Sequence, residues 1–164
     1  MTHSRTFAAI LSRWIAASAV LALALPASGQ ADDRSFQAEA HGSPSDQKTC
    51  EVFLCGDATI VGYGDAEYRR TRTSATPISR PCINYTAVDT FTLSDGSMLT
   101  LDETGTACAR GKNAPNVSGA ADITGAWTVR EGTGVFTGLT GEGTMSLRYR
   151  GGNFKAAYVG TIQD

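Results

Sequence analysis

The chain has 164 residues, 41% apolar and 18% charged, and its 14 lysines and arginines against 16 acidic residues leave a formal net charge of −2. That balance gives neither nucleic acid nor an anionic membrane a reason to bind. The length suits one domain with a real core.

The first element in chain order is a leader. Arg5 and Arg13 precede an uncharged apolar run from Trp14 to Leu25, followed by Pro26 and small residues suited to cleavage at Ala27 and Gly29, or at Gly29 and Ala31. This is the pattern of a secretory signal peptide over residues 1–31, and the run is too short to span a bilayer; an uncleaved anchor is the alternative. Removing residues 1–31 deletes two arginines and no acids, so the remainder carries 12 basic against 16 acidic residues, 12 − 16 = −4. The expected location is secreted or periplasmic, with no membrane span. Residues 32–48 read as a flexible polar segment, and residues 49–164 as the folded domain.

Cys50, Cys55, Cys82 and Cys108 all lie in the exported part, where an oxidising compartment makes disulfides the default. Four thiols allow three pairings. No CxxC pair occurs and the only exported histidine is His41, so no metal site is expected. No histidine is placed to activate a cysteine as a nucleophile.

Past the leader the pattern is almost wholly β. Thr, Val, Ile and aromatic residues alternate with polar ones between glycine-marked turns, predicting strands at Glu51–Cys55, Thr59–Thr71, Asn84–Leu93, Ser97–Asp102, Ile123–Arg130, Gly143–Arg150 and Asn153–Ile162. Several strands joined by short turns imply a sandwich or a closed barrel.

Two hairpins yield to parity, because residues facing each other across an antiparallel pair have a constant index sum and share a face. In "RYRGGNFKAAYVG" a two-residue Gly151-Gly152 turn sets Tyr149 against Phe154, Leu147 against Ala156, Met145 against Tyr158 and Gly143 against Gly160. One side is then apolar throughout, and Gly-Gly suits a type I′ turn. In "NYTAVDTFTLSDGSMLTLD" a two-residue Asp95-Gly96 loop would set Leu99 against Thr92 and break the apolar face. A three-residue loop with Gly96 left-handed opposes Phe91 to Leu99 and keeps Tyr85, Ala87, Leu93 and Leu101 on the same side. The same register places Cys82 opposite Cys108, unless "ETGTA" interrupts the ladder or the parity is chance. Cys50 with Cys55 then follows by elimination, closing a small loop.

That register also turns Asp89 toward the apolar face, opposite Leu101. A carboxylate there is desolvated and its pKa raised unless a cation or donors reach it. It reads either as a general acid or base or the polar anchor of a ligand, or as a structural group satisfied by hydroxyls, an arginine or water. In "YRRTRTSATPISRP", Arg70 and Arg72 share a face with Tyr68 while Arg69 points the other way. With Arg80 they read as an anion site or, more simply, as a solvated strand end. Asn84 and Asn116 begin glycosylation sequons.

The glycine-rich "GTGVFTGLTGEG", Gly132–Gly143, invites a phosphate-loop reading. It fails as a dinucleotide fingerprint because Gly138 comes one position late and no helix follows. It fails as a P-loop because no lysine lies between Lys112 and Lys155. Its glycines instead belong to β-turns, with Phe136 and Leu139 as apolar anchors.

The longer stretch Gly132–Ile162 resembles the C-terminal signature of the allene oxide cyclase and dirigent protein superfamily, carried by Gly132, Gly134, Phe136, Gly138, Gly141, Phe154, Tyr158, Gly160 and Ile162. "LSDGSMLTLDETGTAC" is similar to secreted bacterial members of that group. The resemblance implies a closed antiparallel eight-stranded β-barrel of calycin-like shape, often oligomeric, with an interior pocket for a small hydrophobic molecule and no cofactor. The cysteines and the "RGKNAPNVSG" insertion depart from the plant pattern, and the plant proteins' catalytic groups do not map onto this chain.

Three functions compete. The first is a secreted barrel binding a small apolar ligand, its lining drawn from Tyr85, Asp89, Phe91, Leu99, Leu101, Trp127, Met145, Leu147, Tyr149, Phe154 and Tyr158 with Asp89 as polar handle. The second is a cofactor-free isomerase using Asp89 and a tyrosine as acid and base. The third is a structural or interaction module of the envelope in which the same residues fill the barrel as core.

Overall fold

The computed structural model describes residues 33–110 and 119–164. The leader assignment and most of the "RGKNAPNVSG" insertion, Asn116 included, lie outside them. Eight strands follow in order: β1 (Arg34–Gly42), β2 (Leu54–Ile60), β3 (Gly64–Ser79), β4 (Cys82–Leu93), β5 (Met98–Arg110), β6 (Ala120–Gly132), β7 (Thr140–Arg150) and β8 (Asn153–Gln163). Each pairs antiparallel with the next and β8 returns to β1, closing the barrel. A one-turn helix α1 (Pro44–Lys48) joins β1 to β2, and a short 3-10 turn (Gly134–Phe136) lies between β6 and β7. No helix among the described residues is long and apolar enough to cross a membrane.

Both predicted hairpin registers are present. Tyr149 faces Phe154, Met145 faces Tyr158 and Gly143 faces Gly160, across a turn whose Gly151 and Gly152 both have positive φ, 56° and 89°. Phe91 faces Leu99 and Asp89 faces Leu101. Between β4 and β5, Leu93 N–H donates to Ser97 O, and Gly96 takes φ 86°, as a three-residue loop requires. "ETGTA" does not interrupt the ladder, which runs unbroken to Cys82 opposite Cys108. Those two cysteines are bonded, as are Cys50 and Cys55.

The expected flexible segment 32–48 is corrected. Its Arg34–Gly42 portion is β1, the strand that closes the barrel by pairing with both β2 and β8. Phe36, Ala38 and Ala40 alternate inward; three of its four inward positions carry only alanine or glycine, so the apolar face made little impression in the sequence. The remainder forms α1, opened by a capping box in which Ser43 and Asp46 satisfy each other's backbone. The barrel therefore starts at Arg34 and not at residue 49. Strand boundaries also move: β2 begins at Leu54, the expected strand Thr59–Thr71 is broken by a turn at Val61–Tyr63, where Gly62 has φ 85°, β3 and β5 run on to Ser79 and Arg110, and β4, β6 and β7 start two or three residues early, at Cys82, Ala120 and Thr140.

Glycine makes room inside the wall for the large rings. A Cβ on Gly143 or on Gly160 would come within 2.5 Å of Trp127 Cζ2, so these two cross-strand partners form the notch that the indole occupies. Phe36 meets Trp127 edge-on at 5.1 Å, and Tyr68, Phe91, Tyr158 and Phe154 form a second group of packed rings. Phe136, fully buried, packs against Tyr63 at the end of the barrel where β2 turns into β3. The glycine-rich stretch is therefore a plug and a notch. Gly160→Ala is expected to lower unfolding free energy by about 1–3 kcal/mol, the usual cost of overpacking, with urea denaturation as the measurement; an unchanged midpoint would show that Trp127 has slack.

Candidate functional site

The site grows from one inward position on each of several neighbouring strands. Arg70 on β3 faces Asp89 on β4, Asp89 faces Leu101 on β5, and Glu103 lies two residues further along β5 on the same face. Tyr68, two residues before Arg70, and Tyr158 on β8 reach Asp89 from the other side, while Tyr85 on β4 reaches Glu103. Arg70, Asp89 and Glu103 expose at most 1% of their surface.

Arg70 holds the carboxylates together. Its Nη1 donates to Asp89 Oδ1 at 3.1 Å, to Asp89 Oδ2 at 3.0 Å and to Glu103 Oε2 at 2.6 Å, and its Nη2 donates to Glu103 Oε1 at 3.0 Å. Tyr85 Oη donates to Glu103 Oε1. The Tyr85 ring lies under the guanidinium, 5.1 Å from centroid to Cζ, and fits between Gly105 and Gly125, where a Cβ would strike its hydroxyl.

The other half of the cluster is a closed triangle. Tyr68 Oη lies 3.1 Å from Asp89 Oδ1, Tyr158 Oη lies 3.0 Å from Asp89 Oδ2, and the two phenols are 2.9 Å apart. Three hydrogen bonds need three protons, and two tyrosines supply two. The third belongs to Asp89, so the ring is complete when Asp89 is a carboxylic acid.

Electrostatics reach the same assignment. Burial pushes the Asp89 carboxyl well above the usual range against the pull of Arg70, and the neighbouring Glu103 raises it further. Burial also pushes Glu103 up, but the adjacent Asp89 and the hydrogen bonds and charge of Arg70 outweigh it and hold Glu103 below its ordinary value. Glu103 takes both guanidinium nitrogens and one phenol, while Asp89 takes Nη1 alone and two phenols. Arg70 is pulled down by burial but raised overall, chiefly by Asp89. Burial first, then the carboxylates, raises all three tyrosines, which stay protonated. The proton count of the ring and the opposite directions of the two carboxyl shifts both favour Asp89 over Glu103 as the acid that carries a proton.

All the sequence-predicted interior residues face inward and are buried, including Leu99, Leu101 and Leu147. Asp89 and Tyr158 meet directly, Phe91 and Phe154 pack on Tyr68, and Tyr85 joins through Glu103. Trp127, Met145 and Tyr149 make no hydrogen bond to the cluster; the Trp127 indole N–H donates to Thr144 O at 3.1 Å. Arg70 and Glu103 go beyond the sequence reading. The solvated strand end is corrected for Arg70, which follows Tyr68 into the barrel, and holds for Arg72, which is exposed and lies over the Phe53 ring at 4.7 Å. The signals were present: Tyr68 and Arg70 share a face, and extending the Phe91–Leu99 register by four residues sets Glu103 opposite Ala87.

Comparison with protein-family models, with curated proteins and with solved structures finds no match to this chain.

The cluster makes two measurable demands. Arg70→Met strands a buried carboxylate and is expected to cost about 3–5 kcal/mol, whereas adding Glu103→Gln to it should recover a large part of the loss in the same urea titration. Asp89→Asn keeps one donor and one acceptor. The folded pKa of Asp89 is raised, so its contribution to stability is full below the unfolded value, about 3.9, and is lost as pH rises through the folded value. Wild type should therefore lose stability relative to Asp89→Asn as pH climbs above about 4; parallel Tm–pH curves would contradict a protonated Asp89.

Proposed function

We propose that the protein is a secreted or periplasmic, disulfide-stapled barrel of the allene oxide cyclase and dirigent type whose interior is a solid core, and that it acts as an interaction module through its outer wall. One observation carries this reading: the inward positions are filled by packed rings and by the Arg70 cluster, and no buried side-chain nitrogen or oxygen among the described residues lacks a partner. An eight-stranded barrel is just wide enough for side chains to fill. The clearest hollows face outward, one of about 810 Å³ along β1, β8, β7 and β6. The two disulfides suit an oxidising compartment, and the Gly132–Ile162 resemblance supports the barrel type.

A second reading keeps the interior as a site for a small apolar ligand, or for acid–base isomerisation of one. What favours it is Asp89, a carboxyl group that burial pushes up beside two phenols, which is how a general acid is prepared. A ligand would have to displace part of the ring stack to reach it. Native mass spectrometry with a panel of fatty acids and apolar epoxides separates the two: no 1:1 complex and no turnover is the expected result, and a saturable complex abolished by Asp89→Asn would replace the module with a binding protein.

A further inference from the structure

A solid barrel meets its partners from outside, and on that proposed reading one end of this barrel differs from the rest of the surface. Three connections close that end: β2–β3, β4–β5 and β6–β7. Each presents one exposed large apolar residue: Val61 in the first, Met98 where the second enters β5, and Val135 in the 3-10 turn of the third, with 64%, 36% and 53% of their surface exposed. Tyr63, half-buried, lies beside them on the fully buried Phe136, with the ring centroids 4.7 Å apart. Of the other exposed large apolar residues, Ile78 stands at the opposite end and Val159 on the wall. Turns are ordinarily built from polar residues and glycine, and an exposed apolar patch with a polar rim marks a surface that binds something.

The turn that presents Val135 is fastened in place. Val135 N–H donates to Ser97 Oγ at 3.2 Å, and the buried Ser97 hydroxyl donates to Asp95 Oδ2 at 3.0 Å. Thr133 N–H donates to Met98 O at 2.8 Å and Met98 N–H donates to Thr133 Oγ1 at 3.0 Å, so the β4–β5 and β6–β7 connections are tied to each other. Side chains fixed before contact lower the ordering cost of binding. The charge around them has one sign. Asp33, Asp65, Asp95, Glu131 and Glu142 lie at or next to this end, all exposed, with no cation within ion-pair distance among the described residues. Arg34 and Arg130, the cations there, are taken by Asp164 and Asp102.

We propose that this end of the barrel docks a basic amphipathic segment of a partner protein, whose apolar side chains cover Val61, Met98 and Val135 while its lysines or arginines meet the acidic rim. The rim decides among occupants. A second copy set end to end would bring acid against acid, and juxtaposed like charges oppose association. An anionic bilayer is repelled for the same reason. Apolar burial supplies affinity that salt does not screen, and rim charges set on-rate and salt dependence. Binding should therefore weaken with added salt without vanishing.

The probe is an amphipathic Leu/Lys peptide, titrated by fluorescence anisotropy at low salt and at about 0.15 M, where the screening length is about 8 Å. Wild type should bind it, and should bind a Leu/Glu peptide of the same apolar pattern roughly tenfold or more weakly. Val61→Ser/Val135→Ser should bind the Leu/Lys peptide roughly tenfold or more weakly at either salt, the effect of losing two covered valines. Asp65→Asn/Glu131→Gln should lose about threefold to tenfold at low salt and less at the higher. The control Glu39→Gln/Asp57→Asn, which removes the same charge from the wall of β1 and β2, should bind like wild type, and circular dichroism checks the fold of each variant. No binding by wild type, equal binding of the Leu/Glu peptide, an unchanged affinity in the valine variant, or an equal loss in the control would each overturn the proposal. Dimerisation, or capture on phosphatidylglycerol vesicles, that the valine variant abolishes would overturn it too, because a second copy or a bilayer would then be the occupant. These failures leave the solid-barrel reading standing, whereas a saturable apolar ligand inside the barrel would remove that reading whatever the peptide does.

Discussion

A single guanidinium between two carboxylates is the constraint on which the interior of this barrel depends. Three ionised groups would leave a net negative charge in a medium that solvates it poorly, and the attraction to Arg70 repays desolvation only when the remaining lone pairs are also satisfied. The structure meets this by pushing the Asp89 carboxyl up, toward its neutral form, and by surrounding both acids with phenols. Asp89 joins the ring of Tyr68 and Tyr158, while Glu103 takes the fork of Arg70 and the hydroxyl of Tyr85. Four strands, β3, β4, β5 and β8, are thereby held in register by groups that have no alternative partners inside the barrel. A one-residue slip of any of them would turn its polar group to solvent and leave a charge unpaired.

Around that cluster the barrel is filled by matching bulk with absence. Tyr85 lies where Gly105 and Gly125 leave space, and Trp127 lies where Gly143 and Gly160 do. β1 contributes Ala38 and Ala40 beneath the ring stack. Tyr85 and Trp127 are thus each opposed by positions that carry no side chain. On the outer surface, strand pairing sets neighbouring side chains within about 5 Å of each other, and ion pairs form there, as between Arg110 and Asp122.

The amino-acid sequence by itself determined the strands with strong alternation, both hairpin registers, the pairing of Cys82 with Cys108 and the inward aim of Asp89. All of these follow from the two-residue period of a strand and from turns whose glycines must take positive φ. β1 escaped because alanines and a glycine make an apolar face too small to notice beside "QAEAHG", and its role comes from closure with β8, a contact between residues more than a hundred positions apart. Arg70 was readable as sharing a face with Tyr68, but that it is the last buried residue of that face was not, since β2 pairs with β3 only as far as Arg70 and Arg72 beyond it is exposed. Glu103 was one register step beyond the last predicted residue of its strand. What only the tertiary structure decided is that Arg70, Asp89 and Glu103 meet one another and Tyr158, which β8 brings from far along the chain. Local periodicity fixes which side a residue faces and carries no information about which strand lies opposite.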